Sequence, residues 1–362
     1  MLSIRTQIDN SEKLQHVIRT QNMDGILISN PINRKYYSNF SGSNGWLFVL
    51  PQNKYIITDN RYFSQVKREC PDFQLVKPTL KEGKNLKATL KRLFSQLNFS
   101  GKLGIETGSL SVKQFEEFKK DFPTLTWVSI DEYPQKHRIL KNEYEIAEVR
   151  KAVHIAQSAF MNIKEYLAPG STEREISARL TYHMRMAGAT KESFDIIVGA
   201  GTNGALPHAR SSQKRLQEGE AVVIDWGALV ESGYQSDMTR TIFIGHPHPR
   251  MQEIYNTVLE AQLKAIKALK PGIACGEVDR IAREHIENAG YGEYFGHGLG
   301  HGIGLETHEA PSLGRDQETL LEPGMVVTIE PGIYLEDLGG VRIEDMALIT
   351  ETGSEILTSL PK

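Results

Sequence analysis

Cysteine is scarce: Cys70 and Cys275 are the only two in 362 residues, which excludes a disulfide framework and a thiolate metal site. No apolar run approaches the roughly 20 residues needed to span a bilayer. Neither sign of charge dominates. The formal net charge is −3, which gives no reason to expect a nucleic-acid or anionic-membrane partner. The opening stretch MLSIRTQIDNSEKLQ lacks the apolar centre of a secretory signal, so the cytoplasm is the expected compartment. What is present, 40% hydrophobic and 24% charged residues, suffices for a full core, and the length suggests two domains at about 150 residues each.

Residues 1–131 alternate helical and strand patterns. Helices are expected over 11–21, 61–70, 86–97 and 112–121, and strands over 25–29, 46–50, 55–58, 73–76, 102–105 and 125–130. Such alternation predicts a smaller α/β domain with a mixed sheet, and it holds no nucleophile–base pairing. The polar run DEYPQKHRILK at 131–141 reads as a linker. A second domain, 132–362, then begins with apolar residues at helical spacing from 142 to about 167, stopped by Pro169-Gly170. Ser171 or Thr172 is placed to cap a helix over 173–186, and 194–198 reads as a strand.

The stretch VVIDWGALVESGYQSDMTRT at 222–241 organises this second domain. A buried strand delivers Asp225 at its end, a polar turn follows, and a second strand carries Asp237 back. Strand geometry holds both side chains in fixed directions, so the two carboxylates share one cavity. Bare, they repel and burial raises a pKa; a cation between them removes both problems. The pattern has an echo. Leu167-Ala168-Pro169-Gly170 returns as Leu269-Lys270-Pro271-Gly272, Val223-Ile224-Asp225 as Thr328-Ile329-Glu330, and each strand turns back to a further acid, Asp237 or Glu344. Two helix–helix–hairpin units related by pseudo-symmetry are expected.

Five candidate metal ligands result: Asp225, Asp237, His301, Glu330 and Glu344. Taken singly, each acid reads as a surface charge or a cap. Together they form an oxygen-rich set suited to Mn²⁺ or Co²⁺, and capable of Zn²⁺. So many carboxylates neutralise two divalent ions, which then acidify a shared water. The run FGHGLGHGIGL at 295–305 holds His297 and His301, with His308 beyond. Its alternating glycines disfavour a helical zinc pair, and no helix start follows them as a dinucleotide loop requires. With His208 these form a histidine cluster suited to proton traffic during hydrolysis.

At this point the residues carry a resemblance. ALPHA at 205–209, IDWGA at 224–228, SDMTRT at 236–241, GHGLGHGIGLETHEAP at 296–311, IEPGIY at 329–334 and VRIED at 341–345 are similar to the pita-bread metallopeptidase family. Residues 30–45 and TDNRY at 58–62 resemble the N-terminal domain of its Xaa-Pro branch, which contains Xaa-Pro aminopeptidases and Xaa-Pro dipeptidases. The resemblance implies an α+β fold: a pseudo-symmetric pita-bread domain behind the smaller α/β domain. It further implies two divalent ions, Mn²⁺ before Co²⁺ or Zn²⁺, with Asp225 on one, His301 and Glu330 on the other, and Asp237 and Glu344 bridging. Catalytic roles are implied for His208, His297, His308, Glu330 and Arg342, with Glu330 helping to activate water. Relatives are often dimers, so a homodimer is expected. One departure stands out: Asp225 to Asp237 spans 12 positions, where the family pattern usually uses one fewer, which puts an extra residue in the hairpin tip.

The expected activity is cleavage of the bond before proline in a peptide substrate. Some Xaa-Pro dipeptidases place an arginine directly after the HExP segment to meet the substrate carboxylate; here Ser312 follows Pro311, and the nearest arginine is Arg315. That favours an aminopeptidase over a dipeptidase. A methionine aminopeptidase has no need of the leading domain, a creatinase-like hydrolase lacks the full ligand set, and a non-catalytic peptide-binding protein is the remote alternative.

Overall fold

The computed structural model describes residues 9–362; the first part of the stretch screened for a secretory signal lies outside them. Two compact units divide between His137 and Arg138.

The first unit runs α1 (Ser11–Thr20), β1 (Gly25–Ile28), α2 (Pro31–Ser38), β2 (Trp46–Val49), β3 (Lys54–Ile57), α3 (Phe63–Glu69), β4 (Gln74–Val76), α4 (Leu86–Leu97), β5 (Gly101–Ile105), α5 (Val112–Asp121) and β6 (Leu125–Ser129). Its sheet has the order β4-β3-β2-β1-β5-β6. The β1–β2 and β2–β3 pairs are antiparallel and the others parallel, so the sheet is mixed. Central β1 is buried along its whole length, as a strand covered on both faces must be. Leu90, Leu93, Phe94 and Phe118 from α4 and α5 pack on Leu27, Phe48 and Leu103 of the sheet. The helix α2 has no counterpart in the sequence expectation. Its signal is Asn30-Pro31: Pro31 opens the helix and the Asn30 side chain accepts from the amides of Ile32 and Asn33.

The run 131–141, read as a linker, is instead wound into α6 (Glu132–Ile139). Its polar look misleads, because Arg138 and Lys141 are buried against acids far along the chain. There follow α7 (Glu143–Met161), α8 (Glu173–Met186), β7 (Lys191–Glu192), β8 (Ile197–Ala200), β9 (Ala221–Trp226), β10 (Ala228–Leu229), β11 (Met238–Phe243), α9 (Pro249–Ala268) and α10 (Cys275–Asn288). The chain closes with β12 (Gly300–Gly302), β13 (Glu309–Leu313), β14 (Val326–Ile329), β15 (Gly332–Leu335), β16 (Gly339–Arg342), β17 (Asp345–Thr350) and β18 (Gly353–Ile356). Reciprocal capping boxes at Asn142/Glu145 and Thr172/Glu175 start α7 and α8. The strand expected at 194–198 lies later, as β8.

Two larger sheets carry the second unit, β11-β9-β8 and β13-β12-β14-β17-β18, beside the two-stranded β10-β7 and β15-β16. Ile254 and Val258 of α9 and Val278, Ala282 and Ile286 of α10 are fully buried with Val327, Ile329, Val341 and Ile343. The fold is a pita-bread α+β domain with a leading α/β domain. No helix among the described residues is long and apolar enough to cross a membrane.

Candidate metal centre

The hairpin β9–β11 keeps one register from Ala221 opposite Phe243 to Met238 opposite Trp226. The Leu229–Gln235 bridge and the bond from the Val230 amide to the Tyr234 carbonyl continue it without a slip. The register therefore runs on to a tip at 231–233, where Gly233 takes φ 98°, a conformation that costs a side chain dearly. Because Thr239 faces Asp225, Asp237, two residues back, lies diagonally beside Asp225 on the same face. A slip of one residue would have turned Asp237 away.

In the second sheet Ile329 pairs with Asp345, so Glu330 and Glu344 leave neighbouring strand ends together. The Glu344 amide donates to the Thr239 carbonyl at 3.1 Å, which stitches the two hairpins side by side. His301 comes in on β12 between Gly300 and Gly302. A Cβ at Gly300 would run into the Thr328 carbonyl, and one at Gly302 into the Ala310 carbonyl; only glycine permits so close an approach.

Asp237, His301 and Glu344 meet, Glu330 lies against His301, and Asp225 stands beside Asp237 in the lining of the same cleft. His301 Nε2 lies 3.2 Å from Glu330 Oε1 and 3.7 Å from Asp237 Oδ2. One ligand atom each from Asp237, His301 and Glu344 falls within 4.8 Å of the others. The His301 Nδ1–H donates to the Gly302 carbonyl at 3.1 Å, which aims Nε2 at the acids, where a cation would take the place of its proton. Thr239 Oγ1 donates to Glu344 Oε2 at 2.9 Å and Thr328 Oγ1 to Glu330 Oε1 at 3.1 Å.

Electrostatically the cluster asks for positive charge. Burial, with the Glu344, Asp225 and Glu330 carboxylates, pushes Asp237 well above the usual carboxylate range. Burial and the Glu330 and Asp225 charges do the same to Glu344. Asp225 is also raised by burial, with Arg342 pulling back. Burial opposes ionisation of Glu330 too, but the His301 hydrogen bond and charge outweigh it and pull Glu330 down to about 2. Buried Asp225 Oδ1 and Glu344 Oε1 have no hydrogen-bond partner among the described residues. An orphaned carboxylate oxygen in a buried site is costly, and hard divalent cations fit this donor set.

Around the acids lies a cleft of about 1690 Å³, lined by His208, His297, His308, Tyr334 and Arg342 as well as by Asp225, Asp237, His301 and Glu330. Arg342 is 3% exposed, far from an ordinary surface strand residue. It donates to Asp225 Oδ2 at 2.6 Å, to the Tyr334 hydroxyl at 2.9 Å and to the Pro207 carbonyl at 3.1 Å, and so also fixes the loop that carries His208. The His297 loop hangs from α10: Asp279 Oδ1 accepts from the Leu299 amide, and Arg283 donates to the carbonyls of Phe295 and His297.

His297 spends both ring nitrogens, Nδ1 on the Gly298 carbonyl and Nε2 on the Tyr334 hydroxyl at 3.0 Å. Burial holds its pKa below the ordinary histidine value. His308 is exposed to the cleft, its ring 4.3 Å from that of His301. Tyr334 was missed as a site residue although it closes the IEPGIY motif; nothing in the sequence shows that it links Arg342 to His297.

Arg315, the arginine nearest to the HExP segment, is not among the residues that line the cleft. It lies 3.7 Å from Glu287 on the surface. Arg210 and Arg250 do line the cleft.

Comparison with known proteins gives a consistent picture. Residues 147–351 match metallopeptidase family M24, and residues 11–140 match the creatinase/prolidase N-terminal domain. The chain is similar to the Xaa-Pro dipeptidase of Pyrococcus furiosus, 42% identical over 347 residues that cover 96% of this chain and 97% of the relative. Among solved structures, an Xaa-Pro dipeptidase from Bacillus anthracis superposes with a TM-score of 0.92 at 40% identity, covering 97% of each chain. An X-Pro aminopeptidase from Thermotoga maritima superposes with a TM-score of 0.90 at 37% identity, covering 98% of each chain.

Proposed function

The chain belongs to metallopeptidase family M24, and on that premise we propose that it is an Xaa-Pro dipeptidase working with two divalent ions, Mn²⁺ first among them. The observation that carries the reading is the gathering of Asp237, His301 and Glu344, with Glu330 against His301 and Asp225 in the same cleft, and two buried acid oxygens without a hydrogen-bond partner among the described residues. The same side chains would hold the ions: Asp225 one of them, His301 and Glu330 the other, with Asp237 and Glu344 within reach of both.

Bound ions would supply Lewis acidity and lower the pKa of water. The residues have the remaining work. Glu330 takes the proton of the attacking water as its oxygen adds to the Xaa carbonyl carbon. The bond from that carbon to the proline nitrogen then breaks, and the proton passes to the nitrogen as it leaves. His308, whose ring has no hydrogen-bond partner among the described residues, is the better donor to the developing oxyanion. His297, committed to Gly298 and Tyr334, is better suited to shaping the wall against the proline ring. His208 faces the substrate from the loop that Arg342 holds.

The choice of dipeptidase reverses the aminopeptidase expectation, which rested on Ser312 after Pro311. Relatives named as Xaa-Pro dipeptidases at 40–42% identity over nearly the whole chain support the reversal. So does the cleft. Arg210 and Arg250 line it without any ion-pair partner among the described residues, so a cation for the substrate carboxylate is available even with Ser312 after Pro311. The Thermotoga maritima likeness keeps the aminopeptidase as the second reading. Xaa-Pro dipeptides and Xaa-Pro-Xaa tripeptides, assayed side by side with Mn²⁺, separate the two. Dipeptide hydrolysis with poor tripeptide turnover is expected; hydrolysis of tripeptides alone reverses the choice. A homodimer belongs to the same proposal and is checked by light scattering.

A further inference from the structure

The segment that presents His308 to the cleft has no regular secondary structure: residues 304–308 are a string of bends between β12 and β13. Nor does the His308 ring hydrogen-bond to anything among the described residues. Something else must hold it still, because a misplacement of about 1 Å at a reacting group is enough to cost on the order of 100-fold in rate.

One side of the segment is pinned by Gln235, two residues before Asp237. Its side chain donates to the Leu305 carbonyl at 2.8 Å and accepts from Thr307 Oγ1 at 2.7 Å, and its amide donates to the Gly304 carbonyl at 2.9 Å. The other side is pinned by a buried ionic cluster. Glu309 Oε1 accepts from the Glu306 amide at 3.0 Å and from Arg138 Nη2 at 2.5 Å. The same Arg138 nitrogen donates to Glu306 Oε2 at 2.5 Å, and Lys141 Nζ reaches Glu309 Oε2 at 3.4 Å. The Arg138, Lys141 and Glu309 side chains are 7%, 1% and 5% exposed. A surface ion pair would hold little, but here one buried carboxylate, next to His308 in the chain, ties the middle of the bend at Glu306 to two cations.

The geometry points to Glu309 as a positioning residue for His308, with Arg138 and Lys141 as the cations that make Glu309 rigid. The inference rests on the hydrolytic reading given above. His308 sits between two anchored neighbours: Thr307 fastened to Gln235, and Glu309 fastened to Arg138 and Lys141. Burial opposes the charge on Glu309, yet Lys141 and Arg138 win and hold it below its ordinary pKa. The carboxylate is ionised and locked at neutral pH. The clamp joins the run 138–141, the first residues of the second unit, to a bend about 170 positions later.

The test uses the metal-loaded enzyme and Glu309→Gln, which keeps the size and loses the charge. The expected result is a kcat about 10- to 100-fold lower, as for other groups that orient a reacting residue, with KM, metal content and melting cooperativity unchanged. Glu309→Asp should recover part of the loss. In a His308→Ala background Glu309→Gln should add no more than about twofold, because the residue acts through a ring that is already gone; multiplied effects overturn the proposal. Should Glu309→Gln fold poorly, Lys141→Met/Glu309→Gln leaves Arg138 paired with Glu306 and no cation unmatched, and the same kcat loss is expected. A second readout needs no turnover. In Zn²⁺-loaded protein with ¹⁵N-labelled histidine rings, His308 should give one resonance in the unmodified enzyme and a broadened or doubled one in the variant, while His301 stays put. An unchanged His308 signal overturns the proposal whatever the kinetics. If the unmodified enzyme turns over no Xaa-Pro peptide, the hydrolytic reading falls by itself and the spectra still decide the clamp.

Discussion

Arg342 donates its Nη2 to Asp225 Oδ2 at 2.6 Å in a pocket that leaves the arginine 3% exposed. Burial alone would lower the basicity of Arg342, but Tyr334 and the Asp225 and Glu330 charges raise it well above the ordinary value. The pair therefore does two things at once: it neutralises part of the acid cluster and it fixes the rotamer of a candidate ligand. Arg342→Lys keeps the charge but loses the planar fork that reaches Asp225, Tyr334, Pro207 and Thr239 together. We expect kcat/KM to fall about 10- to 100-fold, read by steady-state kinetics at matched metal content. A change within twofold would show that the charge alone suffices.

Metal removal has a proton signature. Without a cation, burial and mutual repulsion hold Asp237 and Glu344 well above the carboxylate range, so in the metal-free protein they keep their protons to a higher pH than free carboxylates do. Binding must release them. Titration calorimetry with Mn²⁺ in two buffers of different ionisation enthalpy should give different apparent heats, the difference reporting net proton release. Activity should vanish with a chelator and return with Mn²⁺. Free metal at 100 times its dissociation constant should add about 2.7 kcal/mol of stability, seen as a higher Tm. Equal heats in both buffers would contradict the protonation picture.

How far the sequence foretells this architecture depends on the range of the interactions. The acids were legible because each stands at the end of a buried strand whose apolar pattern is local: Val222-Val223-Ile224 before Asp225, Val327-Thr328-Ile329 before Glu330. The mixed sheet of the first unit was legible for the same reason. Arg138 and Lys141 were not. Their neighbours in the chain are polar, and what buries them is Glu309, 171 and 168 positions away. Tyr334 likewise carries no local mark of its bonds to Arg342 and His297. The helix α2 shows no apolar periodicity of its own; its only local signal is the Asn30-Pro31 start, a cap rather than a stripe.

The ligand strand is backed by an aromatic pair. Trp226, directly after Asp225, stacks on Phe160 with ring centroids 4.7 Å apart, and its Nε1–H donates to the Ala156 carbonyl at 2.9 Å. Trp226→Phe removes that donor and part of the contact area while keeping an aromatic ring. A loss of about 1–3 kcal/mol is expected from the lost hydrogen bond and the smaller ring, measured by denaturant unfolding. Because β9 then loosens next to Asp225, metal affinity should weaken as well. A stability loss with unchanged metal affinity would mean that the strand is held by its hairpin register alone.

The acid limb of stability should depend on Glu309. Burial favours its neutral form, but Lys141 and Arg138 hold its pKa below the ordinary value in the folded state. A depressed folded pKa means that the ionised group stabilises the fold at any pH above its unfolded value, about 4.3. That contribution fades as pH falls through the folded pKa, where the carboxylate protonates and leaves Arg138 and Lys141 facing a neutral group. Glu309→Gln imitates the protonated state at every pH. The variant should be less stable than the unmodified protein at pH 7, and the gap should narrow steadily below about pH 4. Urea unfolding at pH 7, 5 and 3.5 checks the sign. A gap that stays constant across that range would mean the carboxylate charge contributes nothing, and that the buried cluster is held by packing and by its neutral hydrogen bonds.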